Sequence, residues 1–295
     1  MFNSIKDVEC FENYSLKKLS TFKIGGNARF YLECFSTMAL KKCIKKCLKN
    51  NIKFKIIGNG SNLLFDDLGY NGAIIKIKNE SVKLCSNQML ATASMHISKL
   101  LNLAINHNLS GLENFIGIPA SLGGAIKNNL GAFGAEISNL VSQVTVLRFQ
   151  NQNHKIIKLN ISHKDFSYRK ANFLELSDII ISAKLNLKKL DKTTILNNMT
   201  NCFKKKNDTQ PLNRFSAGSI FKRNNDIIPA KIIDELGLKG VCINDAEIST
   251  KHAGFIVNNG DASSNDVLKL IEFIKHKVKE KYDINLEEEI EYVPF

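Results

Sequence analysis

The sequence has no run of apolar residues approaching the roughly 18–20 needed to cross a bilayer, which excludes a transmembrane helix. The first segment, Met1 to Ser20, mixes Asp, Glu and Lys through its apolar residues and shows no signal-peptide core. A cytosolic protein with no membrane partner is the reading. The chain also lacks any Cys-x-x-Cys and any Cys/His grouping at zinc spacing, so no metal site is expected. Its seven cysteines are odd in number, and the closest pair, Cys43 and Cys47, falls on apolar positions of a helical pattern. That points to buried thiols rather than disulfides or ligands. Arginine is scarce: of 41 basic residues only five (29, 148, 169, 214 and 223) are Arg. The formal charge of +13 therefore comes from scattered lysines without an aromatic-flanked basic stripe. This reads as a solvated lysine-rich surface that attracts an anionic substrate as a secondary effect, with no nucleic-acid partner. Each arginine is correspondingly informative, because Lys does not replace its planar bidentate fork.

Only four prolines interrupt the 295 residues, and no repeat or low-complexity linker divides them. The length suits two or three modest domains. Residues 38–48 place Leu40, Cys43, Ile44, Cys47 and Leu48 on one helical face, with Ser36 or Thr37 as N-cap. Strands are expected at Ile52–Ile57 and Ala73–Ile77, completing a small α/β unit over 1–78. The region 79–190 carries an expected helix at Ile97–Ile105, a glycine-rich stretch at Gly111–Gly134, and strands at Val144–Phe149, Ile156–Leu159 and Ile179–Leu187. The polar segment Lys188–Thr193 is read as a boundary. Region 191–295 is expected to hold helices near 193–204, at Pro229–Leu236 with Pro at its first position, and from Ser263, where Asp266 completes a capping box. An acidic, strand-like tail follows at Leu286–Val293. Without regular βαβ alternation, the fold class is α+β with mixed sheets.

Two stretches carry the chemistry. In Ile56-Ile-Gly-Asn-Gly-Ser-Asn-Leu-Leu64, Gly58 and Gly60 let the backbone approach a ligand, and the N–H groups of Gly58 to Asn62 can form an anion nest with Asn59, Ser61 and Asn62 beside them. The third glycine of a dinucleotide fingerprint is missing, and a plain tight turn is the competing reading. In Gly111 to Gly134, six glycines in 24 residues alternate with apolar residues, which suggests backbone packed against a large flat ligand or else a tightly packed turn region.

The pairing of Gly-Asn-Gly-Ser-Asn-Leu-Leu with Gly-Ile-Pro-x-Ser-Leu-Gly-Gly-Ala resembles the UDP-N-acetylenolpyruvoylglucosamine reductase family of the FAD-linked oxidase superfamily. Further similar pieces follow in order: Ser20-Thr-Phe-Lys-Ile-Gly-Gly26, Phe166-Ser-Tyr-Arg169, Ser216-Ala-Gly-Ser-Ile-Phe-Lys222, Gly237-Leu-Lys-Gly240, Ile248-Ser-Thr-Lys-His252 and Leu286-Glu-Glu-Glu-Ile290. The length resembles the shorter, second subclass. The resemblance implies a two-part FAD-binding region (1–78 and 79–190) and a C-terminal substrate-binding domain (191–295), with the terminal strand able to pack back on the FAD region. It implies noncovalent FAD, NADPH as co-substrate, and cell-wall precursor synthesis by a monomer. FAD contacts are expected at Gly58, Asn59, Gly60, Ser61 and Asn62, at Gly117, Ile118, Pro119, Ala120, Ser121, Gly123 and Gly124, and at Asn129 and Gly131.

The family's reaction adds a hydride to a vinyl carbon next to a carboxylate-bearing carbon. Such chemistry needs a fixed cation at the carboxylate and a proton donor. By resemblance, Arg169 holds the carboxylate, Ser219 supplies the proton, and Glu289 assists charge handling, with Glu287 or Glu288 open as alternatives. Tyr168, Arg214, Lys222, Arg223 and His252 are expected at the substrate. The sequence departs from the family pattern at Ala120, at Arg223-Asn224-Asn225, at Asn244-Asp245 and at Glu288. None removes a proposed catalytic side chain; they put substrate affinity and loop geometry in doubt. An oxidase of the same flavin fold, a basic nucleic-acid-binding protein and an inactive FAD-binding descendant are the alternatives.

Overall fold

The computed structural model describes residues 1–150, 153–224 and 227–295, so Asn225 of the Arg223-Asn224-Asn225 departure lies outside the described residues. Packing groups the α+β chain into two compact units: Met1–Phe11, Phe30–Asn59 and Gly72–Lys205 form one, and Glu12–Arg29, Gly60–Asn71 and Lys206–Phe295 form the other. The units are therefore not contiguous in sequence.

The first unit has two apolar cores. One lies under a four-stranded sheet ordered Val8–Ser15, Asn27–Cys34, Tyr70–Ile77, Phe54–Ile57, whose last two strands are parallel. Helix α1 (Thr37–Lys49) buries Ala39, Leu40, Cys43, Ile44 and Cys47, and the Ser36 hydroxyl caps it by accepting from Ala39 N at 3.1 Å. Leu48, expected on the same face, is exposed instead. No disulfide joins the seven cysteines; burial pushes the Cys47 thiol up to about 12.

The second core of this unit lies on an antiparallel five-stranded sheet, ordered Asn153–Asn160, Val141–Gln150, Asp178–Asn186, Gln88–Thr92, Val82–Cys85. Helix α2 (Ile97–Asn106) sets Ile97, Leu100, Leu101, Ala104 and Ile105 into it. The glycine-rich stretch holds an element that glycine content obscures: α3 (Leu122–Lys127) starts at Ser121, whose hydroxyl accepts from Gly124 N at 3.3 Å, and buries Leu122, Ala125 and Ile126. Helix α4 (Lys192–Thr209) runs through the expected helical segment and five residues beyond it.

The second unit contains an antiparallel sheet ordered Phe215–Ser219, Phe255–Asn258, Ala246–Ile248, Cys242–Ile243. Helix α5 (Pro229–Glu235) carries proline in its first turn. Helix α6 (Ser264–Tyr282) begins with the expected capping box, in which Ser263 and Asp266 each bind the other's backbone N–H. Its stripe of Val267, Leu270, Ile271, Ile274 and Val278 packs with Phe22, Ile24, Leu64 and Ile220. The tail differs from the expected strand over Leu286–Val293. Only Glu291–Val293 is a strand, parallel to Leu63–Phe65. Upstream, the N–H groups of Glu289 and Ile290 both point at the single carbonyl of Ile220, at 2.7 and 3.4 Å, which breaks the ladder's alternation. Among the described residues, no helix is long and apolar enough to cross a membrane.

Candidate active site

In the first unit the two glycine motifs meet. Gly58 follows the strand Phe54–Ile57, and a Cβ placed on it would stand 2.4 Å from the Ser121 hydroxyl. Ser121 is itself pinned: it bridges to His96, Leu122 N donates to Met95 O at 2.8 Å, and Gly123 N donates to Ala93 O at 2.9 Å. A Cβ on Gly123 would reach within 2.9 Å of the Ala93 methyl. At these glycines the backbone packs closely against side chains of the chain itself. Gly117 has a left-handed φ of +73°, Ile118 is half-buried and Pro119 is exposed. The Ala120 methyl, where the family pattern has glycine, is buried, and its carbonyl accepts from Ile97 N at 3.0 Å.

A cleft of about 370 Å³ opens from Asn59 and is lined by Lys76, Lys78, Glu80, Ser94, His96, Ser98 and Lys99. That volume is within the range of small-ligand sites. Burial, then the Lys78 charge, lowers the Lys76 pKa; burial, then Lys99, lowers that of His96. The His96 Nδ1 faces Ser98, with the hydroxyl at 2.7 Å and the backbone N–H donating at 3.2 Å, so the ring caps α2. A lysine-rich wall beside a Gly-Asn-Gly turn suits an anionic ligand.

Tyr168 and Arg169 form the tip of a hairpin between Phe166–Ser167 and Lys170–Ala171. Arg169 adopts a left-handed φ of +57°, uncommon for a side chain of this size. Its guanidinium lies over the exposed Tyr168 ring, 5.0 Å from the centroid, and donates to Gly131 O at 3.4 Å. Gly131, expected at the cofactor, instead makes room for this arginine: a Cβ there would stand 2.8 Å from Nη1. Asn129, also expected at the cofactor, is 1% exposed and commits its amide to Glu136, Ser167 and Ser138.

The second unit gathers the other candidates. Gly60 has φ +66°, and a Cβ on it would fall 1.9 Å from Leu19 O, so the segment around Ser20 and Thr21 closes directly over the turn. Thr21 N donates to Gly60 O at 3.4 Å. Ser61 is half-buried beside it. The Asn62 amide donates to Glu289 O at 2.9 Å, and Glu291 N donates to Asn62 O at 2.9 Å. Ser219 ends the strand Phe215–Ser219 opposite Phe255, and Glu289 N is bonded to the carbonyl of the next residue, Ile220. The motif around Asn62, the serine and the terminal glutamate thus share one patch of backbone.

The three adjacent glutamates separate by their partners. Glu287 is ion-paired with Lys222. Glu288 is held by Lys275 at 2.8 Å; burial pushes its carboxyl up, but the Lys275 hydrogen bond and charge outweigh that and hold it below the usual range. Glu289 is half-buried. Lys222, expected at a substrate phosphate, is thus neutralised by Glu287. Arg214 is exposed and bonded to Asn259, and Arg223 is exposed. His252 packs edge-on against Phe255, the partner of Ser219, with ring centroids 4.9 Å apart. Burial, outweighing a backbone hydrogen bond and helped by the Lys239 and Arg223 charges, lowers its pKa. Its Nδ1 accepts from Gly254 N at 3.1 Å, leaving Nε2 as the N–H donor.

A family model for an FAD binding domain matches residues 28–160, and one for the C-terminal domain of UDP-N-acetylenolpyruvoylglucosamine reductase matches residues 210–293. A protein of that name from Clostridium novyi (strain NT) is 39% identical over 292 residues, covering 98% of this chain and 94% of the relative. The chain belongs to the UDP-N-acetylenolpyruvoylglucosamine reductase family. A family member from Clostridium tetani (strain Massachusetts / E88) is 37% identical, with 94% of this chain and 90% of the relative covered. The crystal structure of the family member from Thermus caldophilus superposes with a TM-score of 0.81 at 31% identity, over 97% of this chain and 99% of that one.

Some residues now at the reductase's candidate site had no sequence signal. Lys76 and His96 line the cleft from a strand and a helix cap, and Glu136 enters through Asn129 and Gly131. Lysine is too common in this chain for one to stand out, and His96 lies next to an ordinary helical pattern.

Proposed function

We propose that this chain reduces the enolpyruvyl ether of UDP-N-acetylglucosamine-enolpyruvate to UDP-N-acetylmuramate for peptidoglycan, using noncovalent FAD and NADPH, as a cytoplasmic monomer with small-molecule partners. Residues 1–78 and 79–190 supply the FAD-binding parts and 191–295 the substrate-binding part. The observation that carries the reading is the backbone union of Ser219 with Glu289. These residues, far apart in sequence, are joined through the 2.7 Å bond from Glu289 N to Ile220 O in a chain alignable with reductases along nearly its whole length.

The residues fit FAD at the cleft from Asn59 to Lys99, which offers cations to a diphosphate. Gly58, Asn59, Ser121, Gly123 and Gly124 would hold the cofactor. Bound FAD would supply the hydride for the terminal vinyl carbon, with NADPH as its source.

As that bond forms, the electron pair moves toward the carboxylate-bearing carbon. Arg169 meets the carboxylate with its bidentate fork, where the developing charge is greatest. Ser219 donates its hydroxyl proton to the carbon. A serine hydroxyl is a weak acid, so this role depends on a nearby cation or dipole that makes its alkoxide tolerable. Glu289 returns the proton to the serine. The neutral His252 offers Nε2–H to the nucleotide, and Tyr168 and Arg214 complete the substrate contacts.

Ser219→Ala tests the assignment. The variant is expected to retain FAD and its bleaching by NADPH, while reoxidation by the enolpyruvyl nucleotide slows by about 100-fold or more. Equal slowing of both half-reactions would remove Ser219 from the proton-donor role.

A further inference from the structure

The hairpin that carries Arg169 rests on a group of side chains outside every motif that pointed to the reaction. Asn129 is 1% exposed and has a left-handed φ of +39°. One of its amide N–H groups donates to Ser167 O at 3.1 Å, two residues before Arg169, and the other to Glu136 Oε2 at 3.0 Å. The same carboxylate oxygen accepts from the Ser138 hydroxyl at 3.3 Å, and that hydroxyl lies 2.9 Å from His163 Nδ1. Glu136 also stands directly opposite Gly131 in the short strand pair. The position a Gly131 Cβ would occupy is 2.8 Å from Arg169 Nη1 and 3.5 Å from Glu136 Cγ. The guanidinium and the glutamate therefore flank the same glycine. An arginine at φ +57° keeps that conformation only where its surroundings impose it.

We propose that Glu136 is a positioning residue of the reduction step, holding Arg169 against the substrate carboxylate through Asn129 and Gly131. This rests on the reading of Arg169 as the carboxylate-holding group. A carboxylate suits the task because one oxygen takes two donors at once, and a charge-assisted acceptor fixes the Asn129 amide more firmly than a neutral one. His163 Nδ1 also approaches the same oxygen, at 4.0 Å. A merely structural tie would lower stability and slow both half-reactions together, whereas a positioning residue acts on the half-reaction that uses Arg169.

The test uses FAD-loaded holoenzyme bearing Glu136→Ala, Glu136→Gln, Arg169→Ala and the Ala/Ala pair. Substrate affinity is read without turnover, from the perturbation of the oxidised flavin spectrum by the enolpyruvyl nucleotide; the two half-reactions are read by stopped flow. Glu136→Ala should keep reduction by NADPH within about 2-fold of wild type. It should weaken nucleotide binding and slow reoxidation by about 10- to 100-fold, the cost of displacing a catalytic group by an ångström. Glu136→Gln, whose amide oxygen still accepts from Asn129 and Ser138, should recover most of that loss. The double variant should be no slower than Arg169→Ala alone, because Glu136 acts through Arg169. Wild-type reoxidation in Glu136→Ala, or additive losses in the double variant, overturns the proposal. Wild-type reoxidation in Arg169→Ala would instead remove the carboxylate-holding reading itself, and this proposal with it. If Glu136→Ala does not fold, Glu136→Asp, which withdraws the carboxylate by one methylene, is judged by the same criteria.

Discussion

Single glycines in this chain do two different jobs, and substitution separates them. At Gly60 the backbone is left-handed and an added methyl would collide with the Leu19 carbonyl, a group with nowhere to go. Gly60→Ala is expected to destabilise the protein by about 2–4 kcal/mol, read by denaturant unfolding. At Gly131 the added methyl would crowd the end of a flexible arginine, with Glu136 Cγ and the Ala135 carbonyl at ordinary contact distances. Gly131→Ala should therefore change stability by no more than about 0.5 kcal/mol while slowing reoxidation by substrate. A stability loss at Gly131 as large as at Gly60 would show that Arg169 cannot move aside. The sequence announces the first kind of glycine, because Gly-Asn-Gly after a strand signals a tight turn. It does not announce the second, because the arginine that needs the space is 38 residues further on. Glu136 escaped notice for the same reason.

At the level of elements, the helices were legible where local chemistry marks them. Ser36 and Ser263 cap α1 and α6 as their sequences indicate, and proline opens α5. Helix α3 was not legible, because two glycines in six residues mask it and its cap is a serine read as a ligand contact. The acidic tail was over-read as a strand: its alternation is apparent only, and its backbone N–H groups answer to Ile220. Ser263→Ala should cost about 1 kcal/mol by removing one half of the capping box, checked by thermal unfolding. Burial lowers the pKa of His96 and His252 in the folded state. A depressed folded pKa means that the unfolded chain takes up the proton first. The stability these residues contribute is thus present above about pH 6.5 and lost as pH falls through their folded values. His96→Asn keeps a good N-cap on α2 without the titration, so its stability should decline less than wild type from neutral toward acidic pH. Parallel pH profiles would contradict the burial of His96 as the cause.

Across the whole molecule, the family relationship was legible because the motifs that resemble the family follow in one order along the chain, and a family member is 39% identical over 98% of it. The grouping of Glu12–Arg29 and Gly60–Asn71 with the C-terminal residues had no such signal, since it depends on backbone pairing such as that of Gly26 N with Asp66 O at 2.9 Å. The central claim is that one bound flavin passes a hydride from NADPH to an enolpyruvyl nucleotide. The most direct measurement is stopped-flow absorbance of the anaerobic protein, first mixed with NADPH and then with UDP-N-acetylglucosamine-enolpyruvate. The account predicts bleaching of the oxidised flavin band by the first addition and its return on the second, with one UDP-N-acetylmuramate formed per flavin reoxidised. Bleaching without recovery, or recovery only on admitting oxygen, would contradict it.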